Sequence, residues 1–286
     1  MGSNDIGIGS FVTNPNAPDW GVGKVIAIKE KERRQILFEY AGLKVVIKDF
    51  LSPAVTPENH PVLKSVDNIN ELAGFRPFTD LEAFFLKKFE KGFEDPEYLE
   101  HERLYKENAS KLMKRCCSKK ILEELLHNGS YAEVCNLAKR IMNRTNLIFR
   151  NEKMSLSDGL KDAEDQKLFS TQLYSLLYGS GDEGERFESF VTALEELDAC
   201  KWTTATYFLY LSEPNRYPFV KPSNINDAAK SYAFDISYTI YPNWVTYTRI
   251  IDFVNYVASL LERRATLKPR DLIDVQSFIW CALQSG

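Results

Sequence analysis

The chain has 286 residues, 44% of them hydrophobic and 27% charged, and a net charge of −4 at neutral pH. Those values exclude a largely disordered chain, and so mild a charge argues against nucleic-acid binding over the whole surface while leaving a local basic patch open. Five cysteines without a CxxC spacing, and an opening with no basic or apolar signal region, predict reduced thiols, a cytoplasmic location and chance matches at the Asn108, Asn128 and Asn143 sequons. No apolar run approaches the roughly 18 residues of a membrane span, so no membrane partner is expected.

Residues 1–9 read as a polar, Gly-rich leader. From Ser10 to Val55 the pattern is β: a short strand at Phe11–Thr13, a turn-rich loop from Asn14 to Asp19, and alternation from Val22 to Ile28. A charged hairpin tip, Lys29 to Arg34, leads into a strand from Ile36 to Tyr40. Gly42 turns the chain into a last strand, Leu43 to Ile47. Four or five short, bent strands in about 45 residues suit a small barrel, whose curvature leaves few open edges.

Two motifs in this stretch, Gly9-Ser-Phe-Val-Thr-Asn-Pro15 and Asp19-Trp-Gly-Val-Gly-Lys-Val25, precede the charged hairpin and the Ile36–Tyr40 strand. Together they resemble the small Tudor/SH3-like barrels of bacterial proteins. Examples are the C-terminal module of UvrD-type helicases and the polymerase-interacting module of CarD and the transcription-repair coupling factor. Asn14-Pro15 stands where that family usually has His-Pro. The resemblance implies a bacterial origin and a partner such as RNA polymerase, a helicase or DNA itself.

Pro53, Pro57, Pro61 and Pro77 mark residues 52–78 as a linker and approach segment, and the remainder reads as helix. Thr79 is expected to cap a helix carrying Leu81, Phe84, Phe85 and Phe89, and Asp95-Pro96 to start a long polar helix through Arg115. Helices are expected at about 119–127, 130–144, 166–178, 187–197 and 245–264, with a last one ending at Trp280. Asn151–Leu160 reads as a loop, and the apolar run Trp202–Leu211 as the centre of the larger core. The expected class is α+β: a small N-terminal SH3/Tudor-like β-barrel (1–55), a linker (56–78) and an all-α domain (79–286).

No nucleotide, zinc-protease or nucleophile-elbow motif is present, and no cofactor or metal is expected. Gly179–Gly184 is glycine-rich, but Asp182 and Glu183 would repel phosphate. Cys116 and Cys117 sit among Lys114, Arg115, Lys119 and Lys120, which would lower a thiol pKa. Those cations belong to the main charge signal. Between 111 and 144 stand Lys111, Lys114, Arg115, Lys119, Lys120, Lys139, Arg140 and Arg144 against three Glu, a local excess of five positive charges that would suit a phosphate backbone.

In the barrel, Trp20, Lys24, Arg33, Arg34 and Tyr40 combine aromatics with cations, as small binding barrels do. Near the end of the sequence Tyr217, Lys221, Trp244, Asp271 and Asp274 could line a pocket, or Lys221 could brace the turn by pairing with Asp271 or Asp274. The order of helix, proline and helix there is similar to helix-hairpin-helix DNA glycosylases, although the Gly-Val-Gly hairpin and the catalytic aspartate motif are missing. The leading expectation is a non-enzymatic, nucleic-acid-associated binding protein. Its barrel would contact a protein partner or DNA, and its helical domain would offer a second, basic surface. The alternatives are an enzyme built around Lys221, Asp271 and Asp274, and a protein–protein adaptor.

Overall fold

The computed structural model of the chain describes residues 6–55 and 60–283. Parts of the expected leader (1–5) and linker (56–59) therefore lie outside the described residues. The chain divides into two compact units: Met1–Glu90 with Asn226–Asp235 and Ile279–Gly286, and Lys91–Ile225 with Ile236–Phe278. The class is α+β, an N-terminal antiparallel sheet followed by helices.

In the first unit five strands, β1 (Phe11–Thr13), β2 (Gly23–Glu30), β3 (Arg33–Phe38), β4 (Gly42–Ile47) and β5 (Ser52–Pro53), form one sheet in the order β4-β3-β2-β1-β5. Every pairing is antiparallel. The hairpin tip is shorter than the charge run suggested, since β2 extends to Glu30 and β3 begins at Arg33. Register shifts between Val25 and Ala27 and between Ile28 and Glu30 bend β2. The bend lets Val12, Val25, Ile36, Phe38 and Val46 close on one core with Trp20 at its margin.

Gly42 turns the chain between β3 and β4 at φ 67°, a conformation that disfavours any side chain. Residues 60–66, within the segment expected to link domains, bury Val62, Leu63 and Val66. His60 sets the local geometry. Its Nδ1 accepts from the Val62 and Leu63 amides, so Nε2 carries the proton toward Glu39 Oε1 at 3.3 Å. Helix α1 (Phe78–Lys88) follows, starting one residue before Thr79, whose amide donates to Tyr40 O.

The second unit begins with α2 (Pro96–Tyr98), capped by the Asp95 carboxylate on the Glu97 amide. A wide π-turn, Leu99–Arg103, joins it to α3 (Leu104–Cys116). Then come α4 (Lys119–His127), α5 (Tyr131–Met142), α6 (Arg150–Asp158), α7 (Ala163–Tyr178), α8 (Glu183–Glu196) and α9 (Trp202–Ser212). Last in the chain are α10 (Pro222–Ser231), which belongs to the first unit from Asn226 onward, α11 (Trp244–Glu262), and α12 (Leu272–Leu283), which belongs to the second unit as far as Phe278 and to the first from Ile279. Helix α6 replaces the loop expected at 151–160. It buries one helical side chain, Leu156, which is too little to leave an apolar period in the sequence.

Trp202 through Leu211 are all buried, so α9 is the hub of this unit. Tyr207, Phe208, Phe169 and Phe190 meet around it at ring separations of 5.4–6.1 Å. Tyr247 of α11 stacks on Phe187 at 5.0 Å and donates its hydroxyl to Pro218 O, satisfying the one polar atom that the packing would otherwise orphan.

Candidate functional site

Two carboxylates at the start of α12 sit in an ionic cluster. Arg103 donates from Nη1 to Asp271 and Asp274 at 2.8 and 2.9 Å, and from Nη2 to Asp271 at 2.8 Å. Asp274, 0% exposed, also accepts from the Tyr98 hydroxyl at 2.5 Å and from Arg270 through its backbone N, Nε and Nη2. Burial pushes the Asp274 carboxyl up, but the hydrogen bonds from Arg270 and Tyr98 and the Arg103 charge outweigh it and hold the group below its ordinary value. Burial raises the Tyr98 hydroxyl, and the Asp274 charge raises it further. Lys106 joins the cluster by donating to Ser277 Oγ at 2.8 Å.

A carboxylate whose lone pairs are filled by five fixed donor atoms has no capacity left for substrate, so this cluster braces α2 and α3 against α12. The cations at the brace are Arg103 and Arg270. Lys221 stands with its ammonium 4.5 Å from the centre of the Phe149 ring, its pKa lowered by burial and raised in part by Glu152. Tyr217 is buried, stacked on Tyr247 at 6.4 Å, and the half-buried Trp244 packs against Phe187 and Tyr247.

The five residues singled out on the sheet divide into two groups. Lys24 is buried and donates to Val66 O and Asp67 Oδ1 at 2.9 and 2.7 Å. Arg34 is buried and donates to Ile6 O at 2.7 Å and Lys31 O at 3.0 Å. Tyr40 is buried edge-on against Phe78. Trp20 and Arg33 reach solvent: Trp20 packs edge-on to Phe38 with Lys44 over its ring at 5.8 Å, and Arg33 lies 3.7 Å from Glu30.

The basic run occupies the ends of three helices. Lys111, Lys114 and Arg115 lie on the last turns of α3, Lys119 and Lys120 open α4, and Lys139, Arg140 and Arg144 close α5. All but the half-buried Lys139 are exposed. Lys111 pairs with Glu107 at 2.7 Å and Lys119 with Glu123 at 3.9 Å. Among the described residues the other six have no carboxylate within 4.0 Å. Of the two thiols that stand among these cations, Cys117 is buried, and burial pushes it up to about 12.

Just beyond α5, the buried Thr145 is held from beneath by the Tyr207 hydroxyl at 2.8 Å and from the side by Lys153, which donates to Thr145 O at 2.8 Å. Sequence reasoning missed Lys153 because it read 151–160 as a loop, and Phe149 because it fell between that loop and the helix expected at about 130–144. It also missed Tyr98, Arg103 and Lys106, although one signal was available. Lys106 falls in register with Ala109, Ser110 and Met113, the buried stripe of α3, where a charge needs a partner.

Among the described residues no group of three or more His, Cys, Asp or Glu is placed to hold a metal ion, and no helix is long and apolar enough to cross a membrane. A family model described as a protein of unknown function, DUF3553, matches residues 7–51, which cover the first four strands and the turn after them. No curated protein and no solved structure matches the chain.

Proposed function

We propose that this chain is a non-enzymatic binding protein of nucleic-acid transactions, whose helical unit holds a phosphate backbone on the ends of α3, α4 and α5. The observation that carries this reading is the set of six cations, Lys114, Arg115, Lys120, Lys139, Arg140 and Arg144, with no carboxylate within 4.0 Å among the described residues. A solvated helical face is ordinarily neutralised by (i, i+4) pairs, as Lys111 and Lys119 are here. An unneutralised cluster in an acidic chain attracts polyanions and releases their counterions on binding. So short a connection as 128–130 favours antiparallel packing of α4 and α5, which would gather the C-terminal cations of α5 with Lys119 and Lys120.

The β unit is proposed as the second contact, an SH3/Tudor-like module that engages RNA polymerase, a helicase or DNA through Trp20 and Arg33. The similarity of the 9–25 motifs to such bacterial modules supports this, and so do the exposure of Arg33 and the part of the Trp20 ring left open at the core margin. The cytoplasm is the compartment this reading requires.

The test is a salt-titrated binding assay with short DNA and RNA, comparing the wild type with a Lys114/Arg115/Lys119/Lys120 charge-reversal variant. Binding with a steep salt slope, lost in the variant, supports the reading. A wild type that retains neither DNA nor RNA at low salt sinks it.

A further inference from the structure

Phe149 is 52% exposed, yet it stands in a setting built to hold it. Its backbone amide donates to Glu152 Oε2 at 3.0 Å, which fixes the start of α6 without using the ring. The Lys221 ammonium covers the ring at 4.5 Å, close enough for a cation–π interaction. Lys153, one turn along α6, is half-buried, and burial lowers its pKa. Its bond is to a neutral carbonyl, Thr145 O, and among the described residues no carboxylate lies within 4.0 Å.

A desolvated ammonium without a counter-ion is unfavourable to the fold alone and gains strongly when an anion arrives. Arg144 and Arg150, both exposed, flank the same short stretch of chain. Thr145, which holds Lys153, is itself fixed through the Tyr207 hydroxyl, which bonds both Thr145 Oγ1 and Ile141 O. An exposed aromatic ring beside a track of cations is the combination that binds single strands: bases stack on the ring while phosphates meet the charges. Duplex DNA keeps its bases stacked inside and offers only phosphate.

We infer that Phe149, with Lys153, Lys221, Arg144 and Arg150, forms a stacking site for an unpaired base of a single-stranded nucleic acid, continuous in sequence with the basic run that ends at Arg144. This inference rests on the phosphate-binding reading of α3–α5 and names the class of polyanion. The duplex provides the comparison, and an acidic polypeptide the competing occupant.

The experiment uses the full chain, a fluorescein-labelled 12-nucleotide oligothymidylate, the matching dA/dT duplex and polyglutamate as competitor. A second single strand carrying 2-aminopurine reports stacking directly. The variants are Phe149→Leu, which keeps apolar bulk but loses the π face, and Phe149→Trp. Folding is checked by circular dichroism.

The wild type is expected to prefer the single strand and to quench 2-aminopurine. Phe149→Leu should weaken single-strand binding about 10-fold, the scale of one lost base–aromatic stack, and abolish the quench. Duplex affinity should be unchanged, and Phe149→Trp should bind at least as well as wild type. The inference is overturned if Phe149→Leu binds the single strand as wild type does, or if polyglutamate competes as well as the oligonucleotide. If that happens while the Lys114/Arg115/Lys119/Lys120 reversal still abolishes binding, the phosphate-binding reading stands and only the stacking site falls. Absence of any binding by wild type removes both.

Discussion

The Tyr98 hydroxyl donates to Asp274 Oδ1 at 2.5 Å, joining the first helix of the larger unit to α12 across 176 residues of sequence. Both groups are fully buried, so the bond is made where water cannot replace it. Tyr98→Phe should cost about 1–3 kcal/mol of stability. Asp274→Ala leaves Arg103 and Arg270 without their shared anion and should cost more, about 3–5 kcal/mol. Urea unfolding at neutral pH measures both, and an Asp274→Ala variant no weaker than Tyr98→Phe would contradict the bracing role.

The same carboxylate sets a pH dependence. Its folded-state pKa is depressed, so its contribution is present in full above the unfolded-state value of about 3.9 and is lost as the pH falls through the folded value. The stability gap between wild type and Asp274→Asn should be widest at pH 7 and close toward pH 2.5. A gap of constant width would show that the folded carboxyl is not depressed.

Thiol chemistry should divide Cys116 from Cys117. Burial raises Cys117 to about 12, so at pH 8 it is protonated as well as inaccessible, while Cys116 is half-buried. Iodoacetamide followed by mass spectrometry should leave Cys117 unmodified until urea unfolds the chain. Labelling of Cys117 at the rate of a free thiol under native conditions would refute the burial argument.

Gly42→Ala tests the first unit. At φ 67° an added Cβ is strained, and it would stand 2.8 Å from Pro77 Cγ and 3.0 Å from Phe75 Cε1. The substitution should cost about 1–2 kcal/mol from backbone strain alone, with the clash in addition. A thermal midpoint equal to that of wild type would mean the turn relaxes freely.

Much of the fold could be read from local pattern. Alternation placed β2, the strands expected at 36–40 and 43–47 overlap β3 and β4, and the helix expected at about 119–127 is α4. Helix α6 was illegible because Leu156 is its one buried helical side chain, so no stripe repeats. The acidic half of the ionic cluster could be seen, with Asp271, Asp274 and Ser277 a turn apart. Of its basic half, Arg270 stands beside Asp271 in the sequence, but Arg103 and Lys106 lie some 170 residues away, and pairing over such a span leaves no trace in a single sequence. Lysine was the expected brace, whereas the planar fork of Arg103 reaches two carboxylates at once, which an ammonium does less well.

The first compact unit draws its chain from three separate places: the N-terminal residues, Asn226–Asp235 and Ile279–Gly286. During synthesis its strands are available early, but the pieces that belong with them begin only at Asn226 and Ile279, 173 and 226 residues after Pro53. The Arg76 amide waits for Ser231 O, and its guanidinium for Ala282 O. Completion of this unit therefore waits until the chain beyond Ala282 has been made. A nascent chain arrested at residue 220 should carry an N-terminal segment that proteases cut more readily than they cut it in the finished protein.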